Sequence, residues 1–429
     1  MSKKFYANIL SIVFLTPLRA IVVVLAPIFP ILIKQLFVTK IDKKVILLCC
    51  IIIISGLINI LDGNINISSY ILYIFIYFPI IYLFFGKIKK TSDNKLYVNW
   101  HILFKYLRRW LIVIDIIGFL FRFIIFKSMD EFTVGYGYHY KAVTGLSVVN
   151  AYVLLYYFVR IWKGTRTKHN IYNLIFFFLS FISCFSGLVL LILLLTLLFI
   201  IFFNSNLKSL LRLCVISTIC IISLSYIAKD VFQYNWNNIL IFLNDDVAQN
   251  NARKKVMYTR SFKLISENKS AALIGVGPGG YNSRICFLLN NDSNNIFTKI
   301  LGHQMPKYHK SDIYPLWNMS FVNMDDFTDG TRNQPFSSMV SFYTEIGFFF
   351  FLFFIVFWIK KIRNLKTKIE DSDYLYLYVL NIFVFLLFWV DDWFVSSEFI
   401  LFIIINQTLT AEKNNKPTGK GIDYVYLLK

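Results

Sequence analysis

Apolar runs of about 17 to 25 residues, the length a helix needs to cross the hydrocarbon core of a bilayer, recur along most of the chain. They predict helices near 45–61, 70–86, 111–127, 142–161, 171–184, 186–203, 211–228, 339–359, 374–390 and 393–409. The stretch 171–203 is too long for one span and divides at Ser183–Gly187 as a tight hairpin. Residues 5–37 are interrupted by Pro17 and Arg19 and fit either a short hairpin or one helix. The Met-Ser-Lys-Lys start runs into apolar sequence with no small-residue cleavage site, which reads as a retained signal-anchor.

The connections divide into two alternating sets. Lys34 to Lys44, Lys87 to Arg109, Lys163 to Lys168, Lys208 to Arg212, Lys360 to Lys368 and the tail after Glu412 are basic, and positive loops stay in the cytoplasm. Asp62 to Ser69, Met129 to Tyr140 and Asp391 to Trp393 are acidic or poorly charged and read as outside. One connection differs in kind: Lys229 to Ser338 is polar, rich in Asn, Asp and Lys, and at roughly 110 residues exceeds an ordinary loop severalfold. Its short apolar patches, Phe262 to Ile265 and Ala271 to Val276, favour a folded cap.

The pattern therefore predicts an all-α polytopic membrane protein of about ten to twelve transmembrane helices with one large extracytoplasmic loop. Its units are an N-terminal helix bundle (1–228), the loop (229–338), C-terminal helices (339–410) and a cytoplasmic tail (411–429).

Composition agrees: 57% of residues are hydrophobic, 18% aromatic and only 16% charged, too few charges to solvate a water-soluble domain of 429 residues. The formal net charge of +20 could suggest nucleic acid, but the cations sit in short inter-helix loops, without the concentrated basic face such binding needs. Five of the six cysteines lie in apolar runs and only Cys286 is in the loop, where it has no disulfide partner. No His/Asp cluster has metal-ligand spacing, so neither a metal nor a cofactor is expected. No fixed-period repeat and no matched pair of broken helices points to an inverted-repeat transporter.

Two stretches could carry chemistry. The first, Arg253 to Ile265, predicts an amphipathic helix with Arg253 and Arg260 seven apart on one face, leading into the turn Gly275-Val276-Gly277-Pro278-Gly279-Gly280-Tyr281. Guanidinium groups beside open backbone amides make an anion site; a surface helix and an ordinary turn are the alternative. The second, Pro335 to Gly347, puts Glu345 at the entrance of a Phe-rich helix, where a carboxylate is costly unless it meets a partner, a cavity or interfacial water. Asp115 and Arg122, seven apart on 111–127, could form a cavity wall or brace helix packing.

An Arg, an aromatic a few residues on, the Gly-Val-Gly-Pro-Gly turn in a large loop, and a Ser-rich approach to Glu345-Ile346-Gly347 together resemble the O-antigen polymerase and ligase family of bacterial membrane glycosyltransferases. Ser186-Gly187-Leu188 and the topology add to the resemblance, which covers most of the chain in topology and about a quarter in residues. Phe336-Ser337 stands where ligases of that family carry His-Asn, and the family's Ser-Arg-Gly lacks its Arg here, so the polymerase branch is the better match.

The resemblance implies a multi-pass protein of the bacterial inner membrane that polymerises repeat units of O-antigen, capsule or exopolysaccharide. The donor would be an undecaprenyl diphosphate-linked oligosaccharide and the acceptor a sugar hydroxyl, with membrane lipid, a flippase and a chain-length regulator as partners and no nucleic acid. The catalytic residues implied are Arg253, Arg260 and Glu345; Arg284, Arg332, Gly275, Gly277, Gly279 and His303 would bind substrate. A base for the attacking hydroxyl could be Glu345, Asp325, Asp326, Asp329 or His303, and His309 is also in the loop. A ligase, or a flippase or other transporter, is the competing reading.

Overall fold

The computed structural model describes residues 3–15, 39–40, 43–88, 100–120, 142–184, 186–204, 253–290, 304–316 and 336–415, with Lys229, Gln233 and Leu240 as isolated helical positions. The expected helix 211–228 and most of 5–37 lie outside the described residues, as do Arg122, His303, Asp325, Asp326, Asp329 and Arg332.

Almost everything described is helical. Before the loop come α1 (Lys3–Leu15), α2 (Lys43–Leu61), α3 (Ile67–Phe85), α4 (Trp100–Leu120), α5 (Ala142–Trp162), α6 (Lys168–Ser183) and α7 (Gly187–Asn204). The loop contributes α8 (Arg253–Glu267), α9 (Lys269–Ile274), α10 (Arg284–Asn290) and a short π and 3-10 turn over His309–Leu316. Beyond it lie α11 (Ser338–Ser341), a π turn (Phe342–Ile346), α12 (Phe348–Lys366), α13 (Ser372–Val390) and α14 (Ser397–Asn415). A two-residue antiparallel pair, Thr39–Lys40 with Lys87–Ile88, ties the open end of the α2–α3 hairpin.

By length and composition, four of the described helices can cross a membrane: α2, α3, residues 145–162 of α5, and α13. Their environments differ in a way the bilayer explains. α2 turns Ile46, Leu47, Ile54 and Leu57 outward, a face that only lipid covers without penalty, whereas α13 is buried over most of its length between α5, α7 and α12. Phe84, Phe342, Phe354, Trp358, Phe388 and Phe394 meet one another across α3, α12, α13 and the start of α14 as edge-on, tilted and stacked rings.

Three boundaries depart from the sequence expectation, one being the helix expected over 393–409, which is found at Ser397–Asn415 because Asp391 to Ser396 form the turn before it. The helix expected over 111–127 begins at Trp100, because Leu103, Phe104, Leu107 and Leu111 continue one apolar stripe through the basic segment, leaving Lys105 and Arg109 on other faces. The helix expected over 339–359 is broken at Gly347 by φ +97°.

Among the described residues, the connections fall at two ends of the bundle. At one end Arg160 pairs with Asp373 at 2.7 Å, Lys413 meets Asp371 and Asp373 at 2.5 and 2.8 Å, and His101 lies 3.3 Å from Glu412. At the other end Lys307 N–H donates to Asn64 at 3.3 Å, and Arg284 N–H donates to Asp392 at 2.8 Å. Among the described residues, the basic ends of α5 and α14 thus meet the start of α13, α4 meets α14 through His101, and the turns at Asn64 and Asp391–Asp392 meet the long loop.

Candidate functional site

The glycine-rich turn and the Glu345-Ile346-Gly347 segment, separated by some sixty residues of sequence, form one unit. Asn268 caps α9 by accepting from Ala271 N–H at 3.1 Å, and α9 stops at Gly275 with φ +77°. The chain then runs against the π turn: Val276 N–H donates to Thr344 O at 2.7 Å and Gly277 N–H to Glu345 O at 3.0 Å.

Only glycine permits this approach. A Cβ on Gly275 would sit 2.4 Å from the Glu345 carbonyl, and one on Gly347 would sit 2.3 Å from Leu273 O, besides forcing a side chain to φ +97°. Gly347→Ala is therefore expected to cost about 1–3 kcal/mol or more, read as a lower unfolding temperature of the purified protein in detergent. From below, Ser55 Oγ donates to Ile274 O at 2.6 Å and Asn59 Nδ2 to Gly275 O at 3.1 Å, so α2 carries the unit.

The turn does hold a carboxyl group, and it is the protein's own. Glu345 is fully buried, with Oε2 accepting from Gly279 N–H at 2.9 Å and Oε1 from Tyr281 and Ser283 N–H at 3.0 and 2.9 Å. These bonds supply the partners that a buried carboxyl requires, and they occupy amides the sequence left open for substrate. Asn282, between them, accepts from Ser341 Oγ at 2.9 Å, while His309 Nδ1 lies 2.5 Å from Tyr281 O.

The cations divide. Arg253 and Lys254 are buried at the start of α8; Arg260, two turns on, directs Nη1 to Asp312 O at 2.6 Å. Lys254 Nζ donates to Val390 O and Tyr258 to Trp389 O, docking α8 on the end of α13. Arg284 lies on the acidic turn that follows: its N–H donates to Asp392 Oδ2, its Nη2 is 3.5 Å from Asp391 Oδ2, and its guanidinium lies 6.0 and 5.9 Å from the rings of Phe336 and Trp393.

Asp392 also accepts from Ser338 Oγ at 2.8 Å. The buried Nε of Arg284 and Nε1 of Trp393 have no hydrogen-bond partner; both can only donate. The Arg284 side chain is 34% exposed, the one member of this cluster that reaches the medium; the others are buried.

Burial lowers Lys254 to about 8, with the charge of Asp391 raising it and that of Arg284 lowering it further. Burial raises Asp392, opposed by Arg284 and by the Ser338 hydroxyl. Two cations, two carboxylates and two aromatic rings thus converge where the loop meets α13 and α14. Such a cluster can bind an anionic group through the exposed part of the Arg284 guanidinium.

Of the residues singled out from sequence, Arg253, Arg260, Arg284, Glu345 and the three glycines fall within the described structure. Arg284 joins the cluster, whereas Glu345, Gly275, Gly277 and Gly279 make the lock beside it. Sequence reasoning passes over Lys254, Phe336, Ser338, Asp391, Asp392 and Trp393. The available signal was the Asp391-Asp392 pair placed directly between two membrane-length apolar runs. A scan against models of protein families finds no match, and a search of curated proteins finds no significant one.

Proposed function

We propose that this chain is a multi-pass enzyme of the bacterial inner membrane that polymerises lipid-linked oligosaccharide units on the outer side. In this reading about ten to twelve helices carry residues 229–338 outside, and the donor is a glycan on undecaprenyl diphosphate. The observation that supports it is the cluster of Arg284 and Lys254 with Asp391, Asp392 and Trp393, at the bundle end opposite the ion pairs of Arg160 and Lys413.

Chemistry follows from charge. A sugar hydroxyl on one lipid-linked unit attacks the anomeric carbon of another, the bond from that carbon to the diphosphate oxygen breaks, and the hydroxyl proton passes to water or to the departing diphosphate. Negative charge grows on the departing diphosphate, where a preorganised guanidinium and ammonium stabilise it in a poorly hydrated site. Asp391 and Asp392 act as positioning residues for Arg284. Phe336-Ser337, in place of the ligase-type His-Asn pair, is what favours the polymerase over the ligase in this reading; Ser337 donates to Phe388 O at 3.3 Å.

Deleting the gene is expected to collapse the surface-glycan ladder to single units while lipid-linked units accumulate on the outer face; an unchanged ladder, or accumulation on the inner face, contradicts the proposal. Because Lys254 loses its proton as pH rises through about 8, polymerisation in isolated membranes should fall across that range. Lys254→Arg, which stays charged, should flatten the decline.

A further inference from the structure

Asp115 lies in the apolar half of α4 and is 1% exposed, yet its Oδ2 has no hydrogen-bond partner. Across from it on α5, Asn150 is fully buried; its Nδ2 donates to Asp115 Oδ1 at 3.2 Å and to Cys184 Sγ at 3.8 Å, and its Oδ1 is also unpaired. The Ser180 side chain of α6 lies close enough to interact with the same carboxyl.

While Asp115 is ionised, neither orphaned atom has a hydrogen to give. Buried acceptors are almost always satisfied, so something bearing positive charge or donated hydrogen is required there. A bridging water would supply the hydrogens and leave a carboxylate uncompensated inside an apolar bundle, at a cost of several kcal/mol. A small cation supplies both.

Nor is a protein cation at hand among the described residues. Arg160 is engaged by Asp373, Arg108 by Tyr157 and His169, and His101 by Glu412; the thiol of Cys184 is the other titratable group at the site.

We propose that Asp115 and Asn150, with Ser180, hold an exchangeable monovalent cation, Na⁺ or a proton, within the membrane bundle. The ligands are the carboxylate, an amide carbonyl and a hydroxyl, oxygen donors suited to a hard cation. The site stands apart from the loop cluster and does not depend on the glycan reading.

The test is thermal unfolding of the purified full-length protein in detergent, in NaCl against choline chloride at equal ionic strength and over a pH series, with Asp115→Asn alongside. A midpoint that rises and saturates with Na⁺ in the wild type, and not in the variant, identifies sodium. A midpoint indifferent to Na⁺ that falls with rising pH more steeply in the wild type than in D115N identifies the proton. A wild type that responds to neither, or a variant that responds equally, overturns the proposal. Should D115N fail to accumulate, infrared spectra of the wild type decide. A protonated-carboxyl band removed by Na⁺ or by raised pH supports the site, and the absence of such a response overturns it.

Discussion

Arg284→Ala is expected to abolish polymer formation, leaving single glycan units on a surface-glycan blot while the protein accumulates in the membrane at its normal level. Chemistry and fold separate at this residue because the backbone N–H of Arg284, which an alanine retains, makes the bond to Asp392 that anchors α10. What alanine removes is the guanidinium that reaches Asp391 and the rings of Phe336 and Trp393.

A third-exposed guanidinium contributes little to stability in its ion pair, since solvent screens the interaction. Against a diphosphate leaving group in a partly desolvated site, the same charge is expected to matter by about 10²–10³ in rate. Arg284→Lys should recover little of this, because a point charge neither forks onto two phosphate oxygens nor stacks between two rings. Full-length ladders from Arg284→Ala would remove the cluster from the catalytic reading.

The second large effect is on stability and falls on Glu345. Glu345→Ala strips the acceptor from three buried backbone N–H groups, each worth about 1–3 kcal/mol when left unpaired. That sum is comparable to a whole protein's margin of about 5–15 kcal/mol, so the variant should be degraded rather than assembled. Glu345→Gln is predicted to lie between: its carbonyl oxygen can keep the bonds from Tyr281 and Ser283, and its amide then faces the Gly279 N–H, donor against donor.

The graded series, wild type above Gln above Ala in unfolding temperature, distinguishes a structural lock from a base. A base with no structural duty would show wild-type stability and no activity in the Gln variant.

Both predictions rest on contacts that join distant parts of the chain, and this marks how far the sequence could be read. Helices α2, α3, α5, α6, α7 and α13 begin and end within a few residues of their expected positions, because the length of an apolar run is a local property imposed by lipid. Charges counted loop by loop also marked, among the described connections, which ends of the helices lie together.

The start of α4 was missed because a charge-rich segment can still present one apolar stripe, and only its packed neighbours show which face matters. Glycine-rich turn and Glu345 were each visible as separate features; that the second fills the first depends on two glycines letting backbones touch.

By itself, then, the sequence determined a helical chain built for lipid, the approximate spans, the oddity of the long loop and the two motifs within it. Tertiary structure alone decided that these motifs lock together, and that Arg284 faces an acidic turn more than a hundred residues away. Hydropathy is summed along the chain and survives in one dimension. Hydrogen bonds and ion pairs depend on distances of about 3 Å between residues whose separation in sequence carries no trace of it.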